Sequence, residues 1–217
     1  GFGTVVAGTI LGGSVRAGDR VEIYPEGLKT RVRGLQVHKS KAEASSIGRR
    51  TALNLQDVKK EDLRRGQVAA VEGSLVPTSR LDVRLDVLES AGREVKHRER
   101  VRLHIGTDEV MARLAVIGGQ TVAPGASASV QVILERPAVA LPGDRFIIRT
   151  FSPLVTIGGG QVLDANPAKH KRFSGKVIEG LEKLGGSARE AVEQMFVRSG
   201  AGPQGVRDIA LKMGRVE

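Results

Sequence analysis

Leu81, Val83, Leu85 and Val87 alternate with Asp82, Arg84 and Asp86, so one side of this stretch is apolar and the other charged. Period-two alternation predicts a half-buried β-strand. The same pattern recurs at residues 100–105, 110–116, 128–134 and 145–149, then at 155–157 and 161–164. Pro142-Gly143-Asp144 reads as a turn, and Gly158-Gly159-Gly160 as a break before the last strand. Upstream, residues 4–11, 21–24, 30–38, 51–55 and 67–71 are β-branched or alternating, with turns at Gly12-Gly13 and Ala17-Gly18-Asp19. Residues 59–66 read as one helical turn closed by Gly66. Short strands with Gly-rich turns indicate a barrel or sandwich. Pro77-Thr78-Ser79 is the linker, which divides this region into two all-β units, residues 1–77 and 78–168.

The period changes after Asn166-Pro167. Val177, Ile178, Leu181 and Leu184 have helical spacing, and Gly185-Gly186 stops that helix. Ser187 with Glu190 three residues on is a capping box, and Ala191, Val192, Met195 and Phe196 supply the next apolar face. A third helix is expected over residues 206–213. Short helices with a tight Gly-Ala-Gly-Pro connection resemble the front half of a winged-helix unit, placed at residues 169–217.

Composition narrows the function classes. The 217 residues contain no Cys, which excludes a disulfide framework and any thiolate metal site. No run reaches the roughly 18 apolar residues of a membrane span, so no membrane partner is expected. Lys and Arg number 34 against 24 Asp and Glu, a net +10, and this surplus points to an anionic partner, RNA first. The charge is uneven: +6 on residues 1–80, zero on 81–168 and +4 on 169–217. Aromatic residues make up only 3%, which speaks against a broad base-stacking platform. No phosphate-binding P-loop, nucleophile elbow or metalloprotease motif occurs, and the four histidines are scattered. No catalytic residue or metal ligand is assigned.

Two groups of motifs resemble a known family. Gly1-Phe2-Gly3-Thr4-Val5-Val6-Ala7-Gly8-Thr9, Val15-Arg16-Ala17-Gly18-Asp19 and Leu63-Arg64-Arg65-Gly66-Gln67-Val68 look like the second domain of translational GTPases. Lys96-His97-Arg98-Glu99-Arg100-Val101-Arg102-Leu103-His104-Ile105-Gly106-Thr107 forms the second group with Pro142-Gly143-Asp144-Arg145-Phe146, Thr156-Ile157-Gly158-Gly159-Gly160 and Lys169-His170-Lys171-Arg172. It resembles the third domain of the bacterial selenocysteine-specific elongation factors, the SelB family. The resemblance implies a mainly β fold of two consecutive β-barrels, followed by a short α-helical start of a winged-helix domain. It implies a fragment of a factor that delivers selenocysteinyl-tRNA to the ribosome at UGA codons in the cytoplasm. GTP, Mg and GTP hydrolysis would belong to a G domain outside this chain, which itself is expected to be no enzyme. The mRNA hairpin would be bound by further C-terminal domains.

The resemblance also suggests sites. Gly48-Arg49-Arg50-Thr51-Ala52-Leu53-Asn54 matches a segment of the form G-Q-R-x-A-L-N that lines the aminoacyl pocket. Elongation factor Tu usually has an uncharged Asn at the position of Arg50. An arginine there favours a selenolate over a serine hydroxyl, because it supplies charge and directed donors. His38 is the second pocket candidate. Arg149, Gly158, Gly159 and Gly160 match a strand pair that approaches the tRNA backbone, and Arg98 and Arg100 are added as phosphate contacts. Each has a plainer reading: a surface arginine, an exposed strand-end histidine, tight sheet packing, the wet face of a strand. Two other functions fit the same sequence, namely part of another translational GTPase, or a β-barrel interaction module without RNA.

Overall fold

The computed structural model describes residues 3–198. Two compact units divide at Leu75 and Val76.

The first unit holds β1 (Thr4–Thr9), β2 (Ser14–Arg16), β3 (Arg20–Tyr24), β4 (Leu28–Val37), β5 (Ser40–Ala42), β6 (Ala44–Ser46), β7 (Arg50–Leu55) and β8 (Val68–Val71). The sheet runs β1-β7-β4-β3-β8 with β5 alongside β4, and β2 and β6 form a separate ribbon. Val15, Val21, Ile23, Val32, Leu35, Leu53 and Leu55 make the core. Val21 and Ile23, and Leu53 and Leu55, are inward positions that the alternation predicts, whereas Val32 and Leu35 both face inward because the register shifts between Val32 and Gly34. Ser45 Oγ and Thr51 Oγ1, both buried, meet at 2.6 Å and tie the ribbon to the sheet. The helical turn expected at residues 59–66 is confined to a 3-10 turn at Lys60–Asp62.

The second unit adds β9 (Thr78–Val87), β10 (Val95–Lys96), β11 (Arg100–Ile105), β12 (Asp108–Val116), β13 (Thr121–Val122), β14 (Ser127–Ala138), β15 (Arg145–Thr150) and β16 (Thr156–Asp164). Six of these close into a barrel in the order β11-β12-β14-β9-β16-β15. The barrel interior is filled by side chains such as Leu81, Leu85, Leu103, Leu114 and Ile148, all essentially inaccessible.

One expectation is corrected here. The triple glycine does not interrupt the last strand, because β16 runs through it from Thr156 to Asp164. A Cβ on Gly158 would stand 2.6 Å from Asp86 O, one on Gly159 2.6 Å from Phe146 O, and one on Gly160 1.9 Å from Arg84 O. The glycines therefore let β16 lie against the backbones of both neighbours.

Helices α1 (Gly175–Leu184) and α2 (Ala188–Arg198) follow. The capping box forms as expected: Glu190 accepts from the Ser187 backbone N–H and hydroxyl, both at 2.7 Å. Leu181 and Leu184 pack with Ile117 and Leu163, which seats α1 on the barrel. The helix expected at residues 206–213 lies outside the described residues.

Candidate functional site

In the first unit, β7 places its side chains alternately. Thr51, Leu53 and Leu55 point into the core, while Arg50 is exposed and Ala52 and Asn54 are half-buried on the other face. Register then defines what lies beside them. Arg50 is opposite Thr9, Ala52 is opposite Ala7 and Gln36, and Asn54 is opposite Val5 and Gly34. Directly paired residues share a face. The result is a shallow floor of small residues, Ala7, Gly34 and Ala52, with Arg50 at one end and Asn54 at the other. A Cβ on Gly34 would meet nothing within 4 Å, so the floor is open above that residue. The Asn54 Oδ1 atom is buried without a hydrogen-bond partner among the described residues.

Gly48, with φ +82, turns the chain into β7, and Ile10 N donates to Arg49 O at 3.1 Å. These contacts set the start of β7. His38 and Lys39 are the two central residues of the β4–β5 hairpin, with φ of 51 and 68. Positive φ at both central positions is the turn geometry that matches strand twist. Val37 is opposite Thr51, so His38 lies one step further along, at the level of Arg50. The fold therefore brings both pocket candidates to one end of one sheet. Lys39, Arg49 and Arg50 are all exposed there. Among the described residues Arg50 makes no ion pair.

In the second unit, Arg100, Arg102 and His104 alternate along the outer face of β11. Arg102 is opposite Arg149 on β15, and Arg100 is opposite Arg113 on β12. Phe151, just beyond β15 and 48% exposed, lies under both guanidinium groups, 5.0 Å from Arg100 and 5.4 Å from Arg102. Such stacking is a cation–π contact. Arg100 also grips Glu135 with two bonds, at 2.7 and 2.6 Å, and that donation holds the Glu135 carboxyl below its ordinary range. Arg102 likewise lowers Glu109 by donating to it. Arg149 donates to Leu154 O at 3.2 Å, while its buried Nε atom has no acceptor among the described residues.

The structure thus gathers Arg149 and Arg100 on one face. Arg98 lies in the turn before β11, exposed, with φ +63. Gly158, Gly159 and Gly160 sit on β16 next to β15, in the close backbone packing described above. Sequence reasoning does not mark Arg102 or Phe151 as site residues, and it includes Asn54 only as the last residue of the pocket-lining motif. The Arg100-Arg102-His104 alternation is a visible signal for the first, whereas Phe151 gains meaning only from the pairing of β11 with β15. Among the described residues no group of three or more His, Asp or Glu could hold a metal ion, and no helix is long and apolar enough to cross a membrane.

Comparison with known proteins assigns both units. Residues 3–70 match the family described as elongation factor Tu domain 2, and residues 80–169 match the selenocysteine-specific elongation factor beta-barrel domain. The selenocysteine-specific elongation factor of Desulfomicrobium baculatum is 40% identical over 190 residues, 88% of this chain and 30% of that protein. The one from Haemophilus influenzae is 30% identical over 79% of this chain and 27% of that protein. Elongation factor Tu 2 of Streptomyces avermitilis is 33% identical over 75% of this chain and 42% of that protein. The chain thus spans well under half the length of these relatives. The crystal structure of a bacterial selenocysteine-specific elongation factor superposes with a TM-score of 0.79 at 23% identity, covering 99% of this chain and 33% of that one.

Proposed function

The chain belongs to the selenocysteine-specific elongation factor family, within the translational GTPases, and spans the region of the two β-barrels; from that premise we propose that it is the tRNA-binding portion of such a factor. In this reading the parent protein carries selenocysteinyl-tRNA to the ribosome at UGA codons, in the cytoplasm, during a GTP-dependent cycle. GTP and Mg act in a G domain and the mRNA hairpin is read by other domains, none of them within this chain. In the same reading α1 and α2 begin a winged-helix domain.

The aminoacyl end lies on the small-residue floor of the first unit. Arg50 faces the selenium, and His38 stands beside it. The observation that carries this is an exposed arginine, without an ion pair among the described residues, at the end of an open floor of Ala7, Gly34 and Ala52. Selenocysteine is largely ionised near neutral pH and serine is not. An arginine therefore gains a charge-assisted hydrogen bond with one and only an ordinary bond with the other. The tRNA backbone runs over the outer face of the second barrel, where Arg149, Arg100 and Arg98 supply positive charge and Gly158 to Gly160 keep β16 close to its neighbours.

The test is Arg50→Ala in the full-length factor. Hydrogen bonds to charged groups contribute about 1.5–3 kcal/mol and ordinary ones about 0.5–1.5, so preference for selenocysteinyl- over seryl-tRNA falls by the difference, roughly five- to tenfold. An affinity ratio unchanged by the substitution removes Arg50 from this role. It would favour a general aminoacyl-tRNA carrier, a reading that the 33% identity to elongation factor Tu 2 keeps in view.

A further inference from the structure

Asp82, Arg84 and Asp86 alternate along the outward side of β9. Arg84 and Asp86 are exposed there, whereas Asp82 is fully buried. Its cross-strand partner on β14, Gln131, is only 2% exposed. Directly paired residues share a face, so the two form a polar socket in the outer wall of the barrel. The chain between β16 and α1 covers that socket. Gln131 Nε2 donates to Asp82 Oδ1 at 3.0 Å and to Ala168 O at 2.9 Å. Gln131 Oε1 accepts from the His170 backbone N–H at 3.4 Å, and His170 Nε2 meets Asp82 Oδ2 at 2.6 Å.

The covering segment is fixed along its length. Asn166 N donates to Asp164 Oδ1 at 2.9 Å as the chain leaves β16. Pro167 is buried, and its ring fixes one backbone angle. Lys169 and Lys171 are exposed on either side of His170, which turns inward between them. Gly118 N then donates to Arg172 O at 2.9 Å. Beyond that point α1 rests through Leu181 and Leu184 on Ile117 and Leu163. The polar and apolar parts of this junction respond differently to displacement. Apolar surfaces tolerate sliding, because their attraction is non-directional. A segment that slid while still covering the socket would break the bonds of His170 and Gln131 where water cannot replace them. A segment lifted clear would return the same groups to water. Docked and released are therefore the two favourable arrangements, and positions between them are penalised.

We propose that the segment between β16 and α1 is a two-state latch between the barrel and the helices that follow. With Ala168 and His170 docked in the Asp82–Gln131 socket, α1 and α2 hold one direction relative to the barrel and turn with it as one body. Released, the segment is a tether and the helices turn independently. A docked latch passes a rotation of the barrel on to whatever α1 and α2 carry, and a released one isolates the two. His170 is the positioning residue of the device. The inference goes beyond the functional reading and does not depend on what the barrel or the helices bind.

The 217-residue chain contains no Cys, so spin labels can be placed at engineered sites alone. Glu94→Cys in the second unit and Glu182→Cys on α1, both exposed positions, carry nitroxides, and double electron–electron resonance reads the distribution of distances between them. With His170 in place the distribution is narrow. His170→Ala and His170→Leu broaden it. Both also speed amide exchange at Gly118, whose N–H reaches Arg172 O, by about tenfold or more, the change in opening that follows loss of a hydrogen bond to a charged group. Leucine fills similar space to histidine, so agreement of the two variants assigns the effect to hydrogen bonding rather than packing. His170→Gln, which can donate to Asp82, restores the narrow distribution and the slow exchange. Amides of β9 and β14 keep their protection throughout, since the opening is local. A distribution that stays narrow in His170→Ala and His170→Leu overturns the latch, leaving the helix direction to the contacts of Leu181 and Leu184. Unaltered Gly118 exchange overturns it as well, and so does a broad distribution with His170 in place. A single peak that shifts without broadening shows sliding and refutes the two-state character. No rescue by His170→Gln, or lost protection in β9 and β14, rejects His170 as the positioning residue.

Discussion

Replacing Gly160 by alanine tests why three glycines stand together. The added Cβ would be 1.9 Å from Arg84 O, 2.9 Å from Arg84 C and 3.2 Å from Phe146 Cζ. Relief to an ordinary contact of about 3.4 Å requires β16 and β9 to part by roughly 1.5 Å. The register there pairs Gly160 with Leu85 and Gln161 with Arg84, so one or two ladder bonds weaken, at about 1 kcal/mol each. Overpacking beside buried Leu85 and Phe146 costs a further ~1–3 kcal/mol. Alanine also restricts the unfolded chain, which offsets about 0.4–1 kcal/mol, because Gly160 does not occupy the left-handed region. The net expectation is a loss of about 2–4 kcal/mol in the second unit. For a unit of this size that lowers its melting temperature by roughly 5–15 °C. Thermal and urea unfolding followed by far-ultraviolet circular dichroism measure it. Gly34→Ala is the control, since its Cβ meets nothing within 4 Å. A Gly160→Ala protein as stable as the parent, or more so, refutes the packing argument, since only the entropic gain would then remain. A large loss means that the triple glycine is accounted for by sheet packing without an RNA contact.

Two further outcomes follow from the electrostatics of the second unit. Arg136 donates to both oxygens of Asp108, at 2.6 and 2.9 Å, and Asp108 is 7% exposed. Arg136→Ala withdraws that guanidinium and costs about 2–3 kcal/mol by urea unfolding, near the low end for buried pairs because the arginine is partly solvated; adding Asp108→Asn recovers part of it, and a loss below about 0.5 kcal/mol contradicts the reasoning. His97 has a folded pKa below its ordinary 6.5, from burial first and then from Arg172 and Arg98. As pH falls through 6.5 the unfolded chain takes up a proton that the folded one resists, so stability declines on that side and is unaffected above it. His97→Gln flattens the decline between about pH 7.5 and 5.5, and parallel curves for the two proteins exclude this origin.

Much of the architecture follows from local pattern. The alternation at residues 81–87, 100–105 and 110–116 places Leu81, Leu103 and Leu114 inside the barrel, because a strand exposes its faces with period two whatever surrounds it. Ser187 and Glu190 cap α2 through contacts three residues apart, which is also local information. The short strands β2, β5 and β6 are not legible in the chain, because three residues carry too little periodicity to register.

The sites are legible only in part. Motif alone points to Arg50 and His38, but their placement at one sheet end depends on β4 pairing with β7. The glycine run reads as a break by composition, and only the two backbones pressed against it make it the interior of β16. Arg102 meets Arg149 and Phe151 because β11 pairs with β15. His170 reaches Asp82, and the Arg172 carbonyl accepts from Gly118 N, only once the barrel has closed and the following segment has settled on its wall. By itself the sequence determined which residues face a core, where chains turn, how helices begin and which family the chain resembles. The tertiary structure alone decided which distant charges become neighbours, since cross-strand register and barrel closure are non-local and leave no periodic trace in the chain.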